Sequence, residues 1–191
     1  MVNASNTDNR ARLVCKAGGY YPNEIRNTNG LIFPYQPMIS YSQSVSYSSY
    51  DMVHTNYTTH AYSNTPSPSI QLSGQFTTTT QDEHKYTMAA IQFFRNITKM
   101  RYGKSSEPGT PPPVCRFSGM GNKIFNNVPV LVGDFSTTFE NNIDLVTFDS
   151  QSLPAVLTLT VSLMVHVNPA KQKEFDITQF ANGNLYSRGF I

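Results

Sequence analysis

Four histidines, two cysteines and a scatter of carboxylates are the first side chains in this 191-residue chain to test for metal binding, proton transfer or nucleophilic attack. His54, His60, His84 and His166 include no HxH or HExxH pair, the spacings that aim two imidazoles at one zinc ion. Neither Cys15 nor Cys115 has a ligating partner within four residues. His166 falls on the polar parity of a long alternating segment and His84 in the first turn of a predicted helix, so both are expected at the surface. Asp134, Glu140, Asp144 and Asp149 are spread along strand and loop segments. Acid–base work would need two of them facing one cleft within about 5–10 Å, and solvated acids are the simpler expectation. Gly119-Met120-Gly121 resembles a phosphate loop superficially, but no helix-forming run follows, so it reads as a tight turn. Asn96-Ile97-Thr98 matches a glycosylation acceptor yet falls inside the predicted helix. No GxSxG, Walker or Rossmann pattern occurs. The residues predict no enzyme, no metal and no cofactor.

The elements that must position these side chains are strands around one helix. Thr80 with Glu83 fits a capping box, in which a hydroxyl and a carboxylate satisfy the first free amides of a helix. Tyr86, Ala90, Phe93, Phe94 and Ile97 then recur at i, i+4, i+7, i+8 and i+11, one face of a helix predicted over 80–102 that packs on the chain's own sheet. Lys99 and Arg101 suit the last turn, and Gly103 can end it. Residues 104–113 form a Gly/Ser/Pro loop ending in Pro111, Pro112 and Pro113, a stiff connector or contact arm. An SH3-type ligand is the sharper reading of that run and is set aside for a lone PPP inside a folded chain.

Val45, Tyr47, Val53 and Tyr57 share one parity, which predicts one or two strands interrupted near 49–51. Ile70, Leu72 and Phe76 mark the next strand, with Gly74 a bulge candidate. Short strands are expected at 114–120 and 145–149, and a longer one at 128–140. The strongest runs over 155–167, where seven apolar residues alternate with Thr158, Thr160, Ser162 and His166. Thirteen residues would span about 43 Å, long for an ordinary sheet and suited to a barrel or to a sheet continued by a neighbour. The polar 1–30 segment, with Gly18-Gly19, reads as an extended arm or as disorder. The 170–191 tail, with Phe175, Ile177, Phe180, Leu185 and Phe190, reads as an arm docking on the body or on a neighbour.

Composition excludes several classes. Charged residues make up 14%, below the roughly 25% of an average soluble domain, and Ser, Thr and Asn fill the gap beside 11 Tyr and 12 Phe. A net charge of +2 without a basic cluster argues against a nucleic-acid binder. No run approaches the roughly 20 apolar residues of a membrane span, and the first residues lack the order of a signal peptide. Two distant cysteines are expected as reduced, half-buried thiols, matching assembly in a cytoplasm, with one long-range disulfide as the other option.

With SIQLSGQFTTTTQDEHKYTMAAIQFFRNITKMRYG, GTPPPVCRFSGMGNKIFNNVPVLVGDFSTTFENNIDLVTF and LPAVLTLTVSLMVHVNP, the chain resembles the tail-tube-type proteins of contractile-tailed bacteriophages over about residues 31–169, and most closely the baseplate tube initiators at the baseplate–tube junction. The resemblance implies a mainly β fold with one helix, a β-sandwich or curled barrel that joins its neighbours into a hexameric ring. It implies a virion protein assembled in the host cytoplasm. Its partners would be further copies, the tail tube protein, the baseplate hub or a second junction ring, and the tape-measure protein, with DNA passing through the lumen and no membrane. Subunit contacts would come from Pro111, Pro112, Pro113, Asp134, Phe135, Phe139 and Phe190. The main tube subunit shares the fold and is the nearest rival. A monomeric β-sandwich adhesin or carbohydrate-binding module, using the Tyr-rich 41–62 segment as a platform, is the rival from another class.

Overall fold

The computed structural model describes residues 9–15, 21–103, 108–121 and 124–191. Its centre is β11 (Val156–Val165), where Leu157, Leu159, Val161 and Leu163 are fully buried while Thr158, Thr160 and Ser162 lie half-exposed on the other face. A two-residue period with one apolar parity forces this arrangement, because successive side chains point to opposite faces. β11 pairs antiparallel with β6 (Ser69–Thr77) on one side and β8 (Phe125–Phe139) on the other. β3 (Met38–Ser42) lies outside β6; β7 (Cys115–Gly119), β1 (Arg12–Cys15) and β2 (Leu31–Ile32) follow beyond β8. All pairings in this seven-stranded sheet are antiparallel.

The helix α2 (Gln81–Ile97) covers the apolar face. Its capping box forms as the sequence requires: the Glu83 amide donates to Thr80 Oγ1 (3.3 Å), and the Glu83 carboxylate accepts from the Thr80 amide (3.4 Å). A stronger contact from the Thr79 hydroxyl (2.8 Å) helps hold that carboxyl below its ordinary pKa. Ala90, Phe93 and Phe94 are fully buried and Ile97 nearly so. Phe94 stacks on Phe135 of β8 at 5.8 Å, locking helix to sheet. The helix ends at Ile97 rather than near 102. The Thr98 hydroxyl donates to the Phe94 carbonyl, and the Arg101 backbone is engaged across the loop with Gly109 and Thr110.

The fold is therefore mainly β with one long helix. Its sheet is strongly curled, so that Tyr41 on β3 meets Phe125 on β8 (6.4 Å) and Phe33, after β2, meets Phe76 on β6 (5.7 Å). The end strands β2 and β3 do not pair with each other, so one subunit is not a closed barrel.

Three expectations need correction. The described parts of 1–30 are not an arm: β1 is a strand of the main sheet, and α1 (Asn23–Asn27) packs beside α2, with Ala11, Leu13 and Ile25 fully buried. The short apolar run in RLVC was masked by its polar surroundings. Because β1 joins the sheet, Cys15 sits directly opposite Cys115 (Cα–Cα 4.2 Å), and the two form a disulfide rather than separate reduced thiols. His84 is buried rather than exposed, 3% accessible and edge-on to Phe148 (5.5 Å). The Gly18-Gly19 pair and residues 104–107 of the proline-rich loop lie outside the described residues.

The tail does dock on its own body. After α3 (Pro169–Gln172) and α4 (Ile177–Ala181), Leu185 and Phe190 are buried, and Phe175 lies against both Phe180 and Phe190.

Candidate assembly surface

Two stretches in the β8–β11–β6–β3 section of the main sheet carry backbone groups that pair with no described strand. β7 covers β8 only as far as Val130, so the 131–139 stretch has β11 on one side and an open edge on the other. β3 has β6 on one side and no described strand on the other.

Register identifies the free groups. Thr78 donates to the Ala155 carbonyl (2.9 Å) and Val165 to the Pro68 carbonyl (3.1 Å), which fixes odd-numbered β11 residues as those bonded to β6. Hydrogen-bonded and non-bonded pairs alternate in an antiparallel ladder, so even-numbered β11 residues bond Asp134, Ser136 and Thr138. Phe135, Thr137 and Phe139 then point their amides and carbonyls outward. By the same alternation Ile39 and Tyr41 point theirs outward from β3. A row of unpaired backbone groups is a template for another strand.

The sheet face away from α2 is hydroxyl-rich. One cross-strand row reads Met38, Ser73, Thr160, Ser136 and the next Ser40, Gln71, Ser162, Asp134. Asp134 is the one charged side chain in these two rows, and it is exposed.

A third feature is a long hairpin. Beyond Ser42 and Ser69 the chain continues as β4 (Ser46–Tyr50) and β5 (Thr59–Asn64), paired to each other and to no other described strand. Every residue from 43 to 67 is exposed, so the hairpin projects from the body. Two strands alone are marginal in water, and here they display Tyr47, Tyr50 and Tyr62, with Tyr57 in the connecting tip, to solvent.

At the other end of the sheet, β9 (Leu145–Phe148) and β10 (Gln151–Pro154) form a hairpin whose turn reaches α2, with Asp149 3.8 Å from Lys85. A groove of 540 Å³ runs between them.

The residues expected at contacts divide accordingly. Phe135 and Phe139 lie on the open edge, Phe135 half-buried by its stacking and Phe139 exposed; Asp134 lies on the hydroxyl face. Pro111 and Pro112 are exposed and Pro113 half-buried, in a segment without regular structure. Phe190 packs within its own subunit, which leaves its ring little surface for a neighbour. The helix-packing set is brought together, with the Tyr86 hydroxyl turned to β2 rather than to solvent. The sequence reading did not single out Ile39 and Tyr41 as edge residues. Only the pairing of β3 with β6 identifies them, and no composition signal carries that.

Among the described residues no three His, Cys, Asp or Glu side chains converge as a metal site would require, and no helix is long and apolar enough to cross a membrane. No family model matches the sequence, and no curated protein matches it either.

Proposed function

We propose that the chain is a structural protein of a contractile phage tail. In this reading it forms a hexameric ring that joins the baseplate hub to the tail tube and starts tube growth, with DNA passing through its lumen. The observation that carries this reading is the pair of open edges on opposite sides of the β8–β11–β6–β3 section. Three antiparallel steps separate β3 from β8, so the two run in opposite directions. Copies related by rotation about one axis keep their strand directions. The β3 of one copy therefore meets the 131–139 edge of the next in antiparallel sense. Ile39 and Tyr41 would exchange hydrogen bonds with Phe135, Thr137 and Phe139. Repeating one heterologous contact closes a ring and covers both of these edges.

The hydroxyl face supports the same reading. Lining the lumen with Ser, Thr and Gln, a carboxylate and no cation in its two central rows would give a DNA backbone nothing to bind tightly. Partners in this reading are further copies, the tail tube protein, the hub or a second junction ring, and the tape-measure protein. A main tube subunit would use the same edges, and stacking distinguishes it. The monomeric sugar-binding alternative draws on the exposed tyrosines, but Tyr47 and Tyr62 meet edge-on (6.2 Å, 78°) and form no flat platform.

Thr137→Pro tests the reading. Proline is tolerated on an edge strand whose amide faces solvent, so the subunit should keep its circular dichroism and lose its rings in electron micrographs. Rings that persist in a folded Thr137→Pro variant would sink the edge-pairing account.

A further inference from the structure

The open edge of β8 accepts a partner strand over only part of its length. Its register against β11 skips Gly133: Val132 lies opposite Leu163 and Asp134 opposite Ser162. The groups facing away from β11 are therefore those of Val130 and Val132 before the bulge, and those of Phe135, Thr137 and Phe139 after it. β7 already takes Val130. A strand added straight along this edge can thus bond at Phe135, Thr137 and Phe139 and no further back. Against them β3 offers Ile39 and Tyr41. Two registers bond both residues at once. One sets Ile39 opposite Thr137 and Tyr41 opposite Phe135, the other Ile39 opposite Phe139 and Tyr41 opposite Thr137. Any further slide loses one of the two pairs, at the bulge or at the end of the strand.

Barrel geometry and side chains separate the two. Within one copy Met38, Ser73, Thr160 and Ser136 lie at one level. In the first register Ser136 meets Ser40 of the next copy, a stagger of two residues over four strands; in the second it meets Ser42, a stagger of four. At about 3.4 Å per residue and about 4.8 Å between strands, these staggers tilt the strands by about 20° and about 35°. Closed barrels hold their strands at about 35–45°, which favours the second. It also sets Ile39 beside Phe139, a β-branched–aromatic pair that covers a ring 53% exposed in the single subunit. The first register would leave that ring bare and place Tyr41 against Phe135, which Phe94 already stacks on. On the hydroxyl face the second register sets Ser40 opposite Thr138 and Ser42 opposite Ser136, where the first sets Ser42 opposite Asp134. We propose that copies join with Ile39 opposite Phe139 and Tyr41 opposite Thr137, the Gly133 bulge and the end of β7 barring a slide the other way. The inference rests on the ring reading and adds the residue pairing that sets the tilt of its strands.

Ser40 and Thr138 are exposed, and in this register they form a non-bonded pair with Cα atoms about 4.5 Å apart, within reach of a disulfide. Inside one copy three strand spacings, about 14 Å, separate them. Ser136 of the next copy would sit diagonally from Ser40, about 7–8 Å away, too far to bridge. The test oxidises the full chain carrying Ser40→Cys with Thr138→Cys, or Ser40→Cys with Ser136→Cys, using diamide. Non-reducing gels read the links, and electron micrographs of the same samples read the rings. Cys15 and Cys115 are already paired and buried, and circular dichroism checks that both variants fold. The expected result is a ladder reaching six chain masses from the 40/138 pair, at roughly tenfold or more the yield of the 40/136 pair. A ladder from the 40/136 pair instead, or rings with no ladder from either pair, overturns the register and leaves the ring reading standing. Links from the 40/138 pair in samples that never form rings leave the register standing and sink the ring reading. Neither links nor rings would sink both.

Discussion

Replacing Tyr86 with phenylalanine removes one oxygen and should cost far more than a surface change. The Tyr86 hydroxyl accepts from the Ile32 amide (2.9 Å) and donates to the Ile32 carbonyl (2.7 Å). β1 cannot take over those two groups. Phe33 donates to the Ala11 carbonyl, so the residues flanking Ile32 face β1 and Ile32 faces the helix. Ile32 is 1% accessible, which leaves water little room to substitute. Two buried backbone groups without partners cost about 1–3 kcal/mol each. Allowing for partial relaxation, Tyr86→Phe should lower stability by about 2–4 kcal/mol. At roughly 2–4 °C per kcal/mol for a chain of this size, the melting temperature should drop by about 4–16 °C.

The pH dependence supplies an independent check. Burial pushes the Tyr86 phenol up to about 12, against hydrogen bonding from Ile32 that pulls it down. Folded protein thus holds that proton where the unfolded chain has lost it. The associated stability is fully present below about pH 10 and is lost as pH rises toward 12, up to about 2–3 kcal/mol. Phenylalanine has no such proton, so the gap between wild type and Tyr86→Phe should narrow over that window. Urea unfolding followed by far-ultraviolet circular dichroism, at pH 7 and between pH 9.5 and 11.5, measures both quantities. A gap under about 0.5 kcal/mol at pH 7, or one that stays constant through the alkaline window, would refute the reasoning.

Two further substitutions probe the body. Phe93 is fully buried, stacked on Tyr21 at 5.6 Å and edge-on to Phe94 at 5.4 Å, so Phe93→Ala should cost about 3–5 kcal/mol, read as a lower urea midpoint or as loss of soluble subunit. The Cys15–Cys115 disulfide spans 100 residues. Cys115→Ser should therefore cost about 2–5 kcal/mol, and a thiol reductant should destabilise wild type while leaving the variant's midpoint unchanged.

What could be read from the sequence follows the length of each periodic signal. Residues 155–167 predicted their strand because seven apolar residues kept one parity, and 80–102 predicted its helix because a capping box preceded five residues on one face. Both stand, with the helix stopping at Ile97 because Thr98 turns its hydroxyl back to Phe94. β1 was missed because four residues are too few to show a period, and the disulfide went with it, since pairing Cys15 with Cys115 needs the register of β1 against β7. His84 was misplaced for a tertiary reason: the β9–β10 hairpin folds over the first turns of α2, and nothing local to His84 announces that cover. The candidate site was legible in part. Phe135 and Phe139 were expected as contacts from the resemblance alone, and their place on an open edge, like the matching β3 edge, emerges only from sheet order.

The account's central claim is that copies close into a ring through β3 and the 131–139 edge of β8. Light scattering of the purified chain across a concentration series, with negative-stain images of the same samples, tests it most directly. The predicted result is a particle of six chain masses seen as an open ring with a central hole, alone or in stacks. A species that stays monomeric across the series and shows no rings, with circular dichroism confirming a folded sheet, would contradict it.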